Sequence, residues 1–229
     1  MNICLVCVRS GSLGVPNKHL LKMDGITLLE RAINQAKYSQ IFDVIIFSSN
    51  DRTYLNIVER LGGIFIVERQ EKLSASDSSK WDVFKDAIKQ YELVNGTVIG
   101  DDDLIVDLDV SVPFRIMTDI IEAVDSYENG VLITSFESER NPYFNMIEEI
   151  KSTGQFKIVC NNLGTIKNRQ EAKKVYSLSS SVFVFTKKVL ANINHWSEAN
   201  ISTHVIPRKR GFDLDTKEDL ELFNLYQNE

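Results

Sequence analysis

The chain is poor in the residues that mark fibrous, low-complexity or disulfide-stapled proteins. Its 229 residues include only 4 Pro and 11 Gly, far short of a collagen-like or repetitive chain. Three cysteines cannot all pair, which agrees with a reducing compartment. No apolar run approaches the roughly 20 residues that a membrane-spanning helix requires. Met1-Asn2-Ile3-Cys4-Leu5-Val6-Cys7-Val8 has neither a basic leader nor a small-residue cleavage site, so a cytoplasmic protein without membrane insertion is expected. Positive charge is in deficit: 26 Lys and Arg against 32 Asp and Glu leave a net charge of −6. That field repels nucleic acid backbones, so a nucleic acid partner is not expected and any polyanion has to be met by a local basic site. What is present, 43% hydrophobic residues, suffices for a core within one domain spanning 1–229.

The apolar residues alternate between two periods. Residues 3–8 are almost continuously apolar, as in a strand covered on both faces, and 27–37 carry Leu28, Leu29, Ala32, Ile33 and Ala36 at helical spacing. The pattern repeats with a strand at 44–47, a polar turn at 48–51, a helix at 52–61 closed by Gly62-Gly63, and a strand at 64–67. A helix at 80–91, a strand at 104–108 ending in acid, a helix at 118–127 and a strand at 131–134 follow. Such alternation predicts an α/β fold: a mostly parallel, Rossmann-like sheet with helices on both faces and functional groups on loops at the carboxyl ends of the strands. From Arg140 the rhythm breaks. Residues 143–150 and 156–160 read as paired strands and 161–174 as irregular, so 140–174 is expected to be an inserted arm placed for self-association. Strands at 181–185 and 204–206 and a helix over 215–226, capped by Asp215 or Thr216, complete the chain.

Chemistry concentrates at the first loop. Arg9-Ser10-Gly11-Ser12-Leu13-Gly14-Val15-Pro16-Asn17-Lys18-His19 brackets two glycines with two cations directly after the first buried strand. Glycines admit close backbone approach, free N–H groups form an anion nest, and Arg9 and Lys18 supply charge for phosphates. The loop matches neither G-x-x-x-x-G-K nor G-x-G-x-x-G. Near the other end, Asp213 and Asp215 are one residue apart, so an extended stretch turns both carboxylates to one side, where they can share a hard cation. Taken alone, Asp215 reads more readily as a helix cap than as a ligand. Asp107 and Asp109 end a buried strand, where a carboxylate is costly unless paired, metal-bound or solvated. Arg69 reads as a site residue or as a solvated base, and Arg115 as a site residue or as a structural partner of these acids. Cys4 and Cys7 have half a zinc-knuckle spacing but point to opposite faces of a strand, so buried thiols are expected.

The order of these residues resembles the acylneuraminate cytidylyltransferases, or CMP-sialic acid synthetases. Arg9, Gly11, Ser12, Gly14, Val15, Pro16 and Lys18 match the family loop A-R-G-G-S-K-G-[IV]-P-x-K-N in register. Arg69 with Leu73, then Asp107 through Arg115, Arg140-Asn141-Pro142-Tyr143-Phe144-Asn145 and Gly211-Phe212-Asp213-Leu214-Asp215-Thr216 continue the series over nearly the whole chain. Leu-Asp-x-Ser-x-Pro-x-Arg, Arg140 to Asn145 and the segment from Arg169 to Tyr176 look most like the CMP-legionaminic acid branch. The resemblance implies a nucleotide-diphospho-sugar transferase type of fold and self-association as a homodimer. It also implies transfer of a cytidylyl group from CTP to a nine-carbon 2-keto-3-deoxy sugar acid, with Mg²⁺ on Asp213 and Asp215 and pyrophosphate as the second product. Arg9, Lys18, Asp213 and Asp215 are then catalytic. Arg9, Gly11, Ser12, Gly14, Lys18, Arg69, Ser78 and Lys80, with Ser76 and Asp77 beside them, bind nucleotide. Asp109, Arg140 and Arg169 bind the sugar, with Lys173 or Lys174 as further candidates for its carboxylate. Five departures stand out: Leu13 replaces the usual Lys, His19 replaces Asn, Ser48-Ser49-Asn50-Asp51 replaces S-T-D-S, Ser76 replaces Asp, and Ser179-Ser180-Ser181 stands where the legionaminic branch has N-A-S. They leave open a nucleotide-binding member without turnover, or another sugar acid as acceptor.

Overall fold

The alternation within the first strand organises the rest of the molecule. In the computed structural model, which describes residues 1–11, 14–75, 78–161, 164 and 166–227, β1 (Asn2–Cys7) sends Cys4 and Val6 into one apolar cluster and Ile3 and Leu5 into the other. A strand buried on both faces has to lie inside a sheet covered on both sides. Accordingly β1 pairs in parallel with β4 (Val44–Ser49) and with β6 (Leu104–Leu108). The short hairpin of β2 (Lys22–Met23) and β3 (Ile26–Thr27) stands apart from the sheet. β5 (Phe65–Glu68) extends one edge in parallel with β4. Beyond β6, β10 (Tyr176–Thr186) runs antiparallel between β6 and β7 (Val131–Glu137), and β11 (Ile201–Val205) closes the far edge parallel to β7. The order is β11-β7-β10-β6-β1-β4-β5. One strand of the seven is antiparallel, as a mostly parallel α/β sheet allows.

Helices cover both faces. α1 (Leu28–Ser39), α2 (Arg52–Leu61), α4 (Met117–Asp125) and α6 (Lys217–Tyr226) bury Leu29, Ile33, Leu55, Val58, Ile120 and Phe223 against one face. α3 (Lys80–Asn95) and α5 (Lys187–Asn192) bury Trp81, Phe84, Ile88 and Leu190 against the other. Helix starts fall where a short polar side chain satisfies a free N–H: Thr27 accepts from Glu30, Asp51 from Thr53, Ser79 from Trp81, and Thr216 from Asp219. The last assignment settles one alternative. Thr216 caps α6, which leaves the Asp215 carboxylate for another partner. Among the described residues no helix is long and apolar enough to cross a membrane.

β10 is longer than the apolar run at 181–185 predicts. Its polar first half pairs with β7 through Tyr176–Leu178, and the register then shifts between Leu178 and Phe183. Serines suit this bulge because their hydroxyls replace lost ladder bonds. Thr134 Oγ1 donates to the Ser179 carbonyl at 3.1 Å and accepts from the Val182 N–H at 3.0 Å, while Ser179 Oγ donates to the Gly211 carbonyl at 3.0 Å. The bulge thereby turns Ser180 toward the segment that carries the terminal acidic pair. Within 140–174, β8 (Ile147–Ile150) and β9 (Gln155–Ile158) form a separate two-stranded antiparallel sheet. The first strand of that hairpin starts later than expected because Asn141 organises a turn: its carbonyl accepts from the N–H groups of Phe144, Asn145 and Met146.

Candidate active site

The site is built where β1, β4 and β6 end. The Val8 N–H still bonds the Ser48 carbonyl at 3.1 Å, after which the chain leaves the sheet at Arg9 and Ser10. Asn50, just past β4, holds that exit from two sides: its Oδ1 accepts from the Ser10 N–H at 3.1 Å and its Nδ2 donates to Ser10 Oγ at 3.0 Å. Gly11 adopts φ +79°, a conformation that glycine enters without penalty. After Pro16, Asn17 takes a left-handed conformation, φ 55°, and starts a 3-10 turn over Lys18–Leu20. Asn tolerates this region better than most residues. The turn carries Lys18 inward, where its Nζ meets Asp215 Oδ1 at 2.6 Å.

The two ends of the chain therefore meet. A Cβ placed on Gly14 would lie 1.9 Å from the Asp215 carbonyl oxygen, so only glycine lets the loop pass this close. The acidic segment is pinned in turn by the Leu214 N–H, which bonds the Ser111 carbonyl at 2.9 Å, and by Leu214, fully buried between its acidic neighbours.

These elements enclose a cleft of about 350 Å³ lined by Arg9, Gly14, Lys18, His19, Arg69, Ser78, Lys80, Asp109, Ser111 and Asp215. Arg69 is no solvated base. It is 7% exposed, donates from Nη2 to the Ser48 carbonyl at 2.8 Å and from Nε to Ser48 Oγ at 3.2 Å, and burial lowers its pKa. Arg115 resolves as a structural partner: fully buried, it donates from Nη1 to the carbonyls of Asp109 at 2.8 Å and Ser181 at 2.7 Å, tying the end of β6 to the β10 bulge. Lys80 Nζ lies 2.6 Å from Asp107 Oδ2 and 3.1 Å from Asp109 Oδ2. Burial pushes the Asp107 carboxyl up to about 6, against the pull of Lys80. Asp109 has the opposite fate: burial would raise it, but Lys80 and the Ser111 N–H hold its carboxyl well below the usual range. His19 packs edge-on against Tyr54, and burial lowers its pKa to about 4, so its imidazole is neutral at physiological pH.

Asp213 does not line this cleft; it lines a second cavity of about 250 Å³ with Phe136, Ser179 and Phe212. Its Oδ2 accepts from Ser180 Oγ at 2.7 Å, and no described residue partners its buried Oδ1. Burial, with the charges of Asp109 and Asp215, pushes this carboxyl up to about 7. A carboxylate left in that condition suits a cation. No group of three or more metal-ligating side chains occurs among the described residues, but a hard divalent ion needs only one or two carboxylates when substrate phosphates and water supply the remainder. Of the other expected site residues, Ser12, Ser76 and Asp77, like Leu13, lie outside the described residues. Arg140 and Arg169 do not line the cleft of their own chain. Arg169 borders a separate cavity with Lys173 and Lys174, where its Nη2 donates to the Glu139 carbonyl at 3.2 Å. Cys4 is buried, and burial pushes the Cys7 thiol up to about 12.

Residues 3–226 match the family model described as Cytidylyltransferase. The chain belongs to the cytidylyltransferase family. It is 30% identical over 223 residues to post-translational flagellin modification protein B of Campylobacter coli, and 29% identical over 223 residues to CMP-N,N'-diacetyllegionaminic acid synthase of Campylobacter jejuni. Each alignment covers 96% of this chain and 92% of the relative. Among solved structures it superposes on CMP:2-keto-3-deoxy-manno-octonic acid synthetase complexed with CTP. The TM-score is 0.68 over 100% of this chain and 99% of that one, at 14% identity, a likeness of fold.

Sequence reasoning missed a link that shapes this cytidylyltransferase's cleft. It named Ser10 only as part of the glycine loop and Asn50 only within a departure from the family pattern, because their reciprocal bonds join loops 40 residues apart. Replacing Asn50 by Ala strips both partners from Ser10 and frees the exit of the glycine loop. CTP affinity measured by calorimetry is expected to fall roughly tenfold, the equivalent of two modest hydrogen bonds. Asn50→Asp, which still accepts from the Ser10 N–H, should recover part of it. Affinity within twofold of the parent in Asn50→Ala would show that the loop holds its shape unaided.

Proposed function

We propose that the chain transfers a cytidylyl group from CTP to the anomeric hydroxyl of a nonulosonic acid, a nine-carbon 2-keto-3-deoxy sugar acid of the sialic or legionaminic type. The acceptor oxygen bonds to the α-phosphorus, the bond from that phosphorus to the bridging oxygen breaks, pyrophosphate leaves and the hydroxyl proton passes to solvent. The observation that carries this reading is the meeting of Lys18 with Asp215 across the ends of the chain, beside the glycine loop. Negative charge builds on the phosphate oxygens during the transfer, and fixed cations in a partly dry cleft are the chief means of stabilising it. Arg9 and Lys18 supply those cations, and Gly11 and Gly14 give the backbone room to approach. Asp213 and Asp215 would hold Mg²⁺, which supplies charge neutralisation and orientation of the phosphates.

The acceptor class is supported by relatives whose names specify N,N'-diacetyllegionaminic acid, N-acylneuraminate and pseudaminic acid. It is also supported by an apolar cavity of about 420 Å³ against the cleft, walled by Trp81, Phe84, Phe183 and Trp196, which suits the uncharged substituents of such sugars. We place the reaction in the cytoplasm, where CTP is made and three free thiols stay reduced. We also propose a homodimer through the 140–174 arm, a reading supported by the exposed apolar side chains of Ile147 and Phe156 on it.

The test is pyrophosphate release by the purified protein with CTP, Mg²⁺ and a panel of N-acetylneuraminic, N,N'-diacetyllegionaminic, pseudaminic and 3-deoxy-octulosonic acids. Turnover with one or more nine-carbon acids and little with the eight-carbon acid is expected. Tight CTP binding with no product from any acid would overturn the activity.

A further inference from the structure

Lys80 stands where a helix least favours it. It is the first residue of α3, and the positive end of a helix dipole repels a cation. Its position therefore calls for a tertiary reason. The structure gives three. Nζ bridges Asp107 and Asp109 at 2.6 and 3.1 Å. The rings of Phe84 and Phe183 lie 5.7 and 5.6 Å from Nζ and flank it with their π-systems. Lys80 and Asp109 are both walls of the nucleotide cleft and of the apolar cavity beside it, so they form the boundary between the two.

Resting on the function proposed above, we infer that Lys80 is a positioning residue for the acceptor rather than a phosphate ligand, and that buried Asp107 is the anchor that keeps it so. Both oxygens of Asp109 are fixed, Oδ1 by the Ser111 N–H at 2.8 Å and Oδ2 by Lys80. An acceptor that fills the apolar cavity and offers its hydroxyl to the triphosphate has to pass this carboxylate, which is held ready to accept its hydrogen bond. A lysine with only Asp109 as partner would be drawn to an incoming triphosphate, whose charge is larger. Asp107, 1% exposed and with no hydrogen bond to its Oδ1 from any described residue, cannot follow it, because an unpaired charge there is strongly disfavoured. The pair therefore resists release.

Three variants decide the matter: Lys80→Met, Asp107→Asn, and the double variant, which removes both charges and so avoids a lone buried carboxylate. CTP binding by calorimetry and steady-state kinetics with N-acetylneuraminic and N,N'-diacetyllegionaminic acids are the readouts. Asp107→Asn is expected to tighten CTP binding about tenfold by freeing a charged donor for phosphate, while KM for the acceptor rises. A structural lesion would not strengthen binding. Lys80→Met and the double variant are expected to bind CTP within about twofold of the parent, with kcat/KM for the acceptor down roughly a hundredfold. Lys80→Arg should restore part of that loss. If Lys80→Met weakens CTP binding more than tenfold, Lys80 is a phosphate ligand and the inference is wrong. Equally, unchanged acceptor kinetics in the double variant reduce Lys80 to a counter-ion for Asp107. A parent protein that binds CTP but turns over neither acid removes the proposed function alone, since the CTP affinities of Asp107→Asn and Lys80→Met still judge where the ammonium is held.

Discussion

Replacing Gly14 by Ala is expected to lower turnover roughly a hundredfold, the penalty of a misplacement near 1 Å among groups that must be aligned for reaction. The methyl carbon would lie 1.9 Å from the Asp215 carbonyl oxygen and 3.1 Å from its carbonyl carbon. Both are backbone atoms, so no rotamer change relieves the overlap. Relief requires the loop and the 213–216 segment to separate by more than an ångström, which opens the contact between Lys18 and Asp215 that now closes at 2.6 Å. Two consequences should appear together. CTP binding weakens, because Lys18 no longer points where Arg9 does, and the melting temperature drops modestly, because α6 is held through Thr216 at the end of the displaced segment. Calorimetry with CTP and a thermal melt of the same preparation are the measurements. A variant with parental CTP affinity and turnover would mean that the two ends need not touch in the working state. Gly11 differs in kind: a Cβ there meets nothing within 4 Å, and only its φ of +79° demands glycine.

The parts of the architecture that were legible in the sequence are those with a local cause. β1 and β6 read as continuous apolar runs because helices cover both faces of the sheet, and α2 was bounded correctly by Asp51 ahead of it and Gly62 behind. Segments whose structure comes from long-range pairing were not legible. The first half of β10 is polar and becomes a strand only because β7 offers a partner on either side of a bulge. α5 has six residues, too few for helical periodicity to register. The site shows the same division. Residue types gave the glycine loop, the cations and the acids, and most of those placed at the nucleotide line one cleft. Their partnerships were hidden, because Lys18 meets Asp215 across 197 residues and Lys80 meets Asp109 across 29. Sequence reasoning posed Arg69 and Arg115 as open alternatives, and burial decided both, Arg69 into the cleft wall and Arg115 into a bridge between β6 and β10.

Those partnerships also explain why the cleft tolerates so many charges. Lys80 holds Asp109, Arg115 holds the backbone around it, and Lys18 holds Asp215. Asp213 is the exception: its single bond is to a neutral hydroxyl, and its second oxygen has no partner among the described residues. Asp109 and Asp215 are each paired with a lysine, whereas Asp213 stores an unfavourable charge that an incoming cation would relieve.

Asp213→Asn is therefore expected to separate activity from stability. The side chain keeps its shape and can still accept from Ser180, but the charge is gone. Turnover with Mg²⁺ should fall roughly 10²–10³-fold, the range seen when one well-placed electrostatic group is removed from an active site. Stability should move the other way. Burial raises the Asp213 carboxyl to about 7 in the folded protein, against about 3.9 for an unfolded Asp. Between those values the folded state binds more protons than the unfolded state, so stability falls as pH rises through the interval, and the full penalty is present above neutrality. In buffer containing EDTA at pH 8, Asp213→Asn should melt at or above the parent temperature. The gap should narrow as pH drops through the interval and close only below about 3, where the parent carboxyl is protonated in both the folded and the unfolded state. A lower melting temperature at pH 8, with activity lost only in proportion to unfolding, would make Asp213 a strut for the β10 bulge and remove it from the reaction. Loss of turnover in a protein that is no less stable would mark Asp213 as a group whose buried charge serves chemistry at the expense of the fold.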